Sequence, residues 1–530
     1  MSNDVNISKV YLLDVPLEKD YKHTLYFTNT SDQEEYFKSR KKHEYTDFSY
    51  QRKDNIIRIP GHYDTLTDSN YVMYQNSAYS NKWFYAFIVD MKYFNDGVTE
   101  IQIETDVMQT WLLDYTVKPS FVEREHCSDD TIGKNLVPEN LESGEYVCSS
   151  HVMNSKLNEL LTDCKMVLAS AIAPYDDEKM PAGGKFNGIY GGVGYFIANS
   201  KLEVEALLGM AANRGILDSI TGLFMCPTFL LNEERVTVGS SYYYIVGESE
   251  SSVKQIITVS DSKTSIGSYT PRNKKLLTYP YQYLLVSNNN GGSAIYNFED
   301  FEPVDVQEET GTTVQELQFV LEGCICPGGS IKLIPYAYKG DANNDEESLN
   351  LGKYPVCSYP ADMYTNWLTQ NSVNIALDVA QAGISLAAGN VASAGVGIAS
   401  TVAQVHQASL QPYQARGNLN SGDVVYASGK NTFHFYYMNI KEEFAKIIDD
   451  YFDMFGYKKN RVKVPNKAHR SRWWYTKTID VNIDGAIPNK DMQKIKNCYD
   501  NGITFWRNAS EIQNYSLSNK IAITEGAVTG

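Results

Sequence analysis

The fold is decided by residues 83–104, which read WFYAFIVDMKYFNDGVTEIQIE. Residues 83–88 form an apolar and aromatic run of strand length, and residues 98–104 alternate between apolar and polar side chains. Alternation with a period of two is typical of a strand with one buried face. Asn95, Asp96 and Gly97 lie between the two runs, and Asp-Gly is a strong turn signal. The segment therefore predicts a β-hairpin within a β-rich fold.

The composition of the 530-residue chain agrees with a β-rich, acidic protein. It contains 39 Tyr, 20 Phe and 6 Trp, and aromatic residues favour half-buried pleated surfaces. Its 47 Lys and Arg against 64 Asp and Glu give a net charge of −17. Because nucleic-acid binding depends on neutralising phosphates with positive charge, we do not expect this acidic chain to bind DNA tightly. A negative net charge is compatible with the wall of a channel through which DNA slides without binding. Solubility is, however, the commoner reason for a negative net charge.

The cysteines and the N-terminus indicate the compartment in which the chain is made. The eight cysteines are scattered and no CxxC occurs, so neither a zinc site nor a disulfide scaffold is expected. Residues 1–10 are polar and include Asp4, which is unlike a signal peptide. We therefore expect reduced thiols and synthesis in the cytoplasm of a cell.

Strand-like and helix-like runs divide the rest of the chain. Strands are predicted near residues 25–27, 56–59, 281–286, 314–322, 331–338 and 433–440, and helices near 201–208 and 443–455. The predicted class is mainly β (β + α), with an inserted mixed module and an α-helical apolar loop. The predicted parts are a β-rich domain at 1–149, an inserted mixed α/β module at 150–268, a second β-rich domain at 269–365 plus 428–530, and the apolar loop at 366–427.

Residues 379–415 differ from the rest of the chain because these 37 positions contain no Asp, Glu, Lys or Arg, and 19 of them are Ala, Gly, Ser or Thr. Apolar residues recur every seven positions from Leu377 to Val405, which predicts one helical stripe. Glycines near Asn390 favour a hairpin or a kink. The candidate membrane-active side chains are Leu377, Ile384, Leu386, Val391, Val396, Ile398, Val402, Val405 and Leu410.

Physical chemistry leaves two interpretations of this apolar segment open. A membrane-spanning helix needs about 20 mostly apolar residues. Residues 382–403 supply 22 without a charged side chain, but they include Asn390, several serines and four glycines. Small residues also allow helices to pack closely in a bilayer. The residues alone favour a helical hairpin buried permanently between subunits over a segment that enters a membrane.

The sequence contains few catalytic motifs. HExxH, the P-loop, GxSxG and GxGxxG are all missing. The run 123–127, EREHC, could be imagined as a metal cluster, but a salt-bridged interface strand is the preferred interpretation. A basic and aromatic run at 458–463 and 470–474 could contact phosphates, but a solvated face or a subunit contact is favoured. We therefore predict no enzymatic activity, no catalytic or metal-binding residues and no cofactor.

Several short blocks of the sequence resemble one known family. They are DVPL at 14–17, TLYF at 24–27, YF at 36–37, NKWFYAFI at 81–88, TDVMQTW at 105–111, FVEREH at 121–126, LLTYPY at 276–281, NWL at 366–368, FDMFGY at 452–457 and NGITFW at 501–506. In this order they resemble the tail-knob, or distal tail tube, proteins of small short-tailed picovirus-type bacteriophages of Gram-positive hosts. Residues 150–265 match least.

The resemblance implies β-sandwich or β-barrel domains like those of tail tubes, assembled as a hexameric ring in the virion tail. It implies contacts with other tail and collar proteins, and viral DNA that passes through the lumen without specific binding. It also implies that the apolar loop plugs the tube and enters the host membrane transiently during genome ejection. With the resemblance, membrane action is favoured over permanent burial.

The sequence leaves three rival functions open. The chain could be a tail-associated enzyme that degrades cell-wall polymer, or a purely structural tube protein with the apolar segment buried between subunits. A free pore-forming toxin would normally need an export signal, which residues 1–10 do not provide.

Overall fold

The computed structural model describes most of the chain. Described are residues 8–48, 55–76, 80–175, 185–186, 189–190, 193–199, 201–214, 216, 219–238, 241–246, 254–261, 264–307, 313–325, 329–352, 359–360, 415–416 and 432–521. The predicted apolar loop, residues 366–427, lies outside these residues except for positions 415–416.

Strands dominate the described residues, which confirms the predicted mainly β class. Up to residue 125 they are β1 (Ser8–Leu13), β2 (His23–Leu25), β3 (Lys41–Phe48), β4 (Ile56–Ile59), β5 (Tyr71–Asn76), β6 (Trp83–Asn95), β7 (Val98–Thr105), β8 (Tyr115–Val117) and β9 (Ser120–Glu125). From residue 146 to 440 they are β10 (Tyr146–Val152), β11 (Cys164–Ser170), β12 (Lys185–Phe186), β13 (Ile189–Tyr190), β14 (Gly194–Ala198), β15 (Ile220–Pro227), β16 (Glu233–Val238), β17 (Ser241–Val246), β18 (Lys254–Ser260), β19 (Gln282–Ser287), β20 (Ser293–Tyr296), β21 (Val304–Gln307), β22 (Thr313–Gly323), β23 (Ile331–Tyr338), β24 (Asp341–Asn343), β25 (Leu349–Asn350), β26 (Tyr359–Pro360), β27 (Ala415–Arg416) and β28 (His434–Ile440). The last strands are β29 (Tyr457–Lys463), β30 (Trp473–Ile479), β31 (Ile483–Gly485) and β32 (Ile503–Trp506).

In the part of the chain that the structure describes, the α-helices have 4 to 14 residues and lie between strands. They are α1 (Thr30–Ser39), α2 (Tyr63–Leu66), α3 (Val107–Trp111), α4 (Ser155–Thr162), α5 (Lys201–Asn213), α6 (Glu442–Phe455) and α7 (Asn489–Asn501). Helix α6 confirms the helix predicted at 443–455. It ends at Gly456, whose φ of 65° is a conformation that glycine adopts without strain.

The chain forms two compact units. Unit 1 comprises residues 1–143, 271–276 and 443–530, and unit 2 comprises residues 144–270 and 277–442. Unit 1 combines the two ends of the chain because β2 pairs in parallel with β32, and β9 pairs with both β29 and β30. This grouping differs from the predicted ranges, which joined 428–530 to 269–365. The predicted domain ranges stay a proposal, because compact units and independently folding domains need not coincide.

In unit 1, a six-stranded antiparallel sheet has the order β3-β1-β5-β6-β7-β4. Strands β6 and β7 form the predicted hairpin, with Asn95 opposite Val98. Phe84 and Ala86 point into one hydrophobic core, while Tyr85 and Phe87 point into another. Because both faces of β6 are buried here, residues 83–88 form a continuous apolar run rather than an alternation.

A second sheet of unit 1 has the order β2-β32-β30-β9-β29. The two cores of unit 1 receive adjacent aromatic residues from β30, with Trp474 in one and Trp473 in the other. Trp474 stacks on Phe505 of β32 at a centroid distance of 5.4 Å. Helix α7 adds Ile495 and Tyr499 to the core that contains Trp474. Aromatic packing therefore joins the N-terminal and C-terminal parts of unit 1.

Unit 2 contains three larger sheets. Their orders are β10-β28-β19-β20, β15-β11-β14-β17-β16 and β18-β22-β23-β24, with β21 and β25 also paired in the third. All three sheets contribute to one large core, through side chains such as Phe435, Phe224 and Phe319. The opposite face of the second sheet packs on α5 through Leu207 and Leu208. The middle of the chain is therefore also sheet-rich.

Candidate functional site

The candidate site predicted from the sequence lies outside the described residues. This applies to all nine predicted side chains, which are Leu377, Ile384, Leu386, Val391, Val396, Ile398, Val402, Val405 and Leu410. The chain re-enters the described structure at Thr432, and Phe433 is fully buried in the core of unit 2. The C-terminal flank of the segment is therefore fixed at the start of β28. No helix in the described parts of the chain is both long and apolar enough to cross a membrane.

The EREHC run is part of a buried polar network in unit 1. The backbone N–H of Tyr475 donates to Nδ1 of His126 at 2.7 Å, and Nε2 of His126 lies 2.9 Å from the carbonyl oxygen of Asp453. Nδ1 is thus an acceptor, so Nε2 carries the proton and donates to Asp453. Burial lowers the pKa of His126 to about 3. The imidazole is neutral and both nitrogens are occupied, so it is not placed to bind a metal or to take a proton.

The acidic residues of this run are neutralised by neighbouring cations. Glu125 is fully buried, forms an ion pair with Lys463, and accepts the backbone N–H of Asn466 at 2.7 Å. Arg124 pairs with Glu139, whose other oxygen lies 2.6 Å from Nζ of Lys275. The predicted salt-bridged strand is confirmed, and its role as an interface stays a prediction. No group of three potential metal ligands occurs among the residues that the structure describes.

Cys127 is not a nucleophile in this environment. Burial raises the pKa of its thiol to about 11, and Nη2 of Arg470 lies 3.3 Å from Sγ. Since the thiolate is the reactive form, a thiol with a raised pKa is inert near neutral pH. The EREHC run therefore holds the strands of unit 1 together.

The predicted basic and aromatic patch is not a single surface. Trp473 and Trp474 are 0% and 3% exposed, so neither offers a face on which a base could stack. Arg470 is buried, and Arg472 forms an ion pair with Glu511. The interpretation of the whole run as a solvated face is wrong for these residues, because pairing of β30 with β9 and β32 places the tryptophans between the cores.

A third polar cluster fixes the short segment 271–276 within unit 1. Arg272 pairs with Asp453 at 2.7 Å and also contacts Asp449 and Asp450 of α6. The amide of Asn273 donates to Asp449 at 2.8 Å and to Asp453 at 2.7 Å. The acidic face of α6 is therefore occupied by side chains of the protein itself.

A surface that the sequence did not reveal lies on the sheet β10-β28-β19-β20 of unit 2. Its inner face contributes Leu284, Phe435 and Tyr437 to the core. Its outer face has a row of directly opposed residues, one on each strand: His151, Tyr436, Leu285 and Ile295. The sequences of the four strands, YVCSSHV, HFYYMNI, QYLLVS and SAIY, contain no Asp, Glu, Lys or Arg. We call this outer side the uncharged face.

Aromatic rings cover much of the uncharged face. The ring of His151 lies 4.6 Å from that of Tyr436 with an interplanar angle of 11°. Nε2 of His151 lies 2.9 Å from Nδ1 of His434. Tyr146 and Tyr283 meet edge to face at 5.6 Å. The surface is thus broad, partly apolar and without Asp, Glu, Lys or Arg, and it offers aromatic packing and hydrogen bonds.

Comparison with known proteins places the chain among bacteriophage tail proteins. Residues 6–116 match the family model of the caudoviral major tail protein N-terminus. Residues 247–520 match the model of the C-terminal domain of Bacillus phage phi29 tail knob protein gp9. The chain therefore belongs to the family of tail knob proteins of small phages, and it is a structural component of the virion tail.

Curated relatives and a solved structure agree with this family. Tail knob protein gp9 of Bacillus phage PZA and that of Bacillus phage phi29 are each 25% identical, covering 96% of this chain and 98% of the relative. The structure of the bacteriophage C1 tail knob protein, gp12, has a TM-score of 0.64 at 16% identity. It covers 97% of this chain and 100% of that one, so the two share a fold over nearly their whole length.

Proposed function

We propose that this chain forms the distal tail tube of its virion as a hexameric ring. We further propose that residues 379–415 plug the tube and enter the host membrane during genome ejection. The observation that carries the membrane role is the absence of Asp, Glu, Lys and Arg over 37 positions in a chain that is 21% charged. A charged side chain at the centre of a bilayer costs about 3 kcal/mol or more, so its absence is what membrane entry requires.

The proposed ring contacts other tail and collar proteins and surrounds the passing viral DNA. A net charge of −17 supports passage without specific binding, because an acidic wall repels phosphates. We also propose that the chain is made in the cytoplasm of the infected bacterium and has no enzymatic activity. A homo-oligomer with a lumen requires a closed, heterologous interface between subunits. Native mass spectrometry and electron microscopy of the purified protein test the ring, and a species without six-fold symmetry would refute the hexamer.

Vesicle leakage tests the membrane role. The full-length protein is added to phosphatidylglycerol–phosphatidylethanolamine vesicles loaded with a quenched dye, at pH values from 5 to 8. We expect dye release that falls at least tenfold in the triple variant Ile384→Asn, Val391→Asn, Ile398→Asn, because polar amides are costly to bury in lipid. The matched control is Ile256→Asn, since Ile256 is an exposed isoleucine of β18.

Phage carrying the same changes give the second measurement. We expect the triple variant to lose infectivity while the Ile256→Asn phage keeps it. Absence of leakage at every pH, together with full infectivity of the triple variant, would rule out membrane entry by residues 379–415.

A further inference from the structure

We propose that the uncharged face of the sheet β10-β28-β19-β20 is the surface on which residues 379–415 are packed before genome ejection. The inference rests on the proposed function, because it gives the segment that enters the membrane a position in the assembled tail. It commits to one occupant, a named segment of this chain.

The first argument is the matching absence of charge. Covering a charged side chain with an apolar segment would remove it from water at a high cost, whereas an uncharged surface carries no such penalty. The four strands and residues 379–415 both lack Asp, Glu, Lys and Arg. Beyond the end of the face, Glu145 forms an ion pair with Lys441. At this end of β10 and β28, charged side chains therefore begin where the proposed docking surface ends.

A neighbouring sheet of unit 2 shows the contrast. In the sheet that contains β18 and β22, Lys254 pairs with Glu322 at 3.3 Å on the outer side. Ile256 lies on the same side of β18, two residues from Lys254, and is 49% exposed. Ile295, on the uncharged face, is 48% exposed. The two isoleucines are equally accessible and differ in the charge of their surroundings.

The second argument is size. Strands lie about 4.8 Å apart and rise about 3.3 Å per residue, so four strands of up to seven residues present a face about 20 Å on each side. Two antiparallel helices packed about 9 Å apart cover a strip about 20 Å wide. About 14 residues per helix give the matching length at 1.5 Å per residue. The 37 residues of 379–415 are enough for such a hairpin and its turn.

The third argument is connectivity. Phe433 is buried in the core beneath this sheet, and β28, one of its two central strands, starts at the next residue. The segment 379–415 ends 18 residues before Phe433. A chain of that length reaches about 60 Å when extended, which is several times the width of the face. The connection thus ends in the sheet that the segment is proposed to cover.

Photocrosslinking in the full-length assembly tests the docking surface. A photoreactive phenylalanine analogue replaces Ile295 in one variant and Ile256 in the other, and the crosslinked peptides are identified by mass spectrometry. We expect peptides from residues 379–415 to be recovered at least tenfold more often from position 295 than from position 256. Equal recovery, or capture at position 295 of another region, another tail protein or a cell-wall glycan, would overturn the proposal.

A charge placed beneath the segment gives an independent readout. Leu285 is half-buried in the centre of the uncharged face, so Leu285→Lys should reduce the crosslink from position 295 at least tenfold and increase vesicle leakage. Circular dichroism and the melting temperature verify that the variant folds, and Tyr436→Glu serves as a second variant. An unchanged crosslink in both folded variants would also overturn the proposal.

The two proposals fail in different ways. If the crosslink forms but no variant releases dye, the docking surface stands and membrane entry is wrong. If dye is released but position 295 captures no more of residues 379–415 than position 256, membrane entry stands and the docking surface is wrong.

Discussion

Asp106 provides a test of how burial controls the stability of unit 1. Its side chain is 2% exposed and lies at the N-terminus of α3. The carboxyl group accepts the backbone N–H groups of Met108 and Gln109 at 3.0 and 3.1 Å, and the hydroxyl of Tyr71 at 2.8 Å. Burial nevertheless raises its pKa from 3.8 to about 6. The fold therefore favours the protonated acid over the carboxylate.

The size and sign of the effect follow from this pKa. One pKa unit corresponds to about 1.4 kcal/mol, so a shift from 3.8 to about 6 amounts to about 3 kcal/mol. Because the pKa is higher in the folded state, this stabilisation is complete below pH 3.8 and is lost as the pH rises through about 6. In Asp106→Asn the group does not ionise, and the amide oxygen still caps α3. Between pH 3.5 and pH 7, the free energy of unfolding of the variant should therefore rise by about 3 kcal/mol relative to that of wild type.

Urea unfolding followed by tryptophan fluorescence measures this difference. Five of the six tryptophans, at positions 83, 111, 473, 474 and 506, belong to unit 1, so their fluorescence reports mainly on that unit. The control is Asp484→Asn, because the side chain of Asp484 is 71% exposed and pairs with Lys118 at the surface. A difference between Asp106→Asn and wild type that stays constant or falls from pH 3.5 to 7 would show that the three hydrogen bonds offset or outweigh burial, and would refute the reasoning.

Two further substitutions test contacts inside unit 1. Lys275→Ala leaves Glu139 buried with Arg124 as its remaining cation. We expect the free energy of unfolding to fall by about 3 kcal/mol, which is the lower end of the range for a broken buried ion pair. Urea unfolding measures this loss. Gly456→Ala would place a Cβ 2.2 Å from the carbonyl oxygen of Glu125 in a residue with φ 65°. We expect the free energy of unfolding to fall by more than about 4 kcal/mol, or the variant to fail to fold. Soluble yield and hydrogen exchange of β9 measure this effect.

Each of these substitutions has a matched control. Lys339 forms a surface ion pair with Glu347 at 2.8 Å. Lys339→Ala should therefore lower the free energy of unfolding by less than about 1 kcal/mol. Gly291 has φ 83°, but a Cβ at this position would meet no atom of the described residues within 4 Å. Gly291→Ala should therefore cost only about 1 kcal/mol from backbone strain. Equal losses in the test and control variants would contradict the assigned roles of burial and of close contact.

The local elements of the fold could be predicted from the sequence because their signals lie within a few residues. The turn at 95–97 and the alternation after it determine the β6–β7 hairpin. The apolar spacing of 443–455 determines α6, and Gly456 determines its end. Such patterns depend on backbone geometry and on one buried face, both of which are local properties.

The misinterpreted basic and aromatic run shows where local reasoning stops. Trp473 and Trp474 are neighbours of Arg470 and Arg472 in sequence, which suggested an exposed patch. Strand pairing instead encloses both tryptophans, because β9 and β32 come from other parts of the chain. The sequence of β30 alone does not contain that information.

The sequence by itself determined the β-rich class, the hairpin and the uncharged character of residues 379–415, since each depends on residue types close together in the chain. The tertiary structure alone decided which distant strands share a sheet. The uncharged face combines strands from residues 146–152, 282–287, 293–296 and 434–440, none of which is unusual when considered separately. Only pairing between strands far apart in the chain brings His151 beside Tyr436 and creates a surface from which charge is missing.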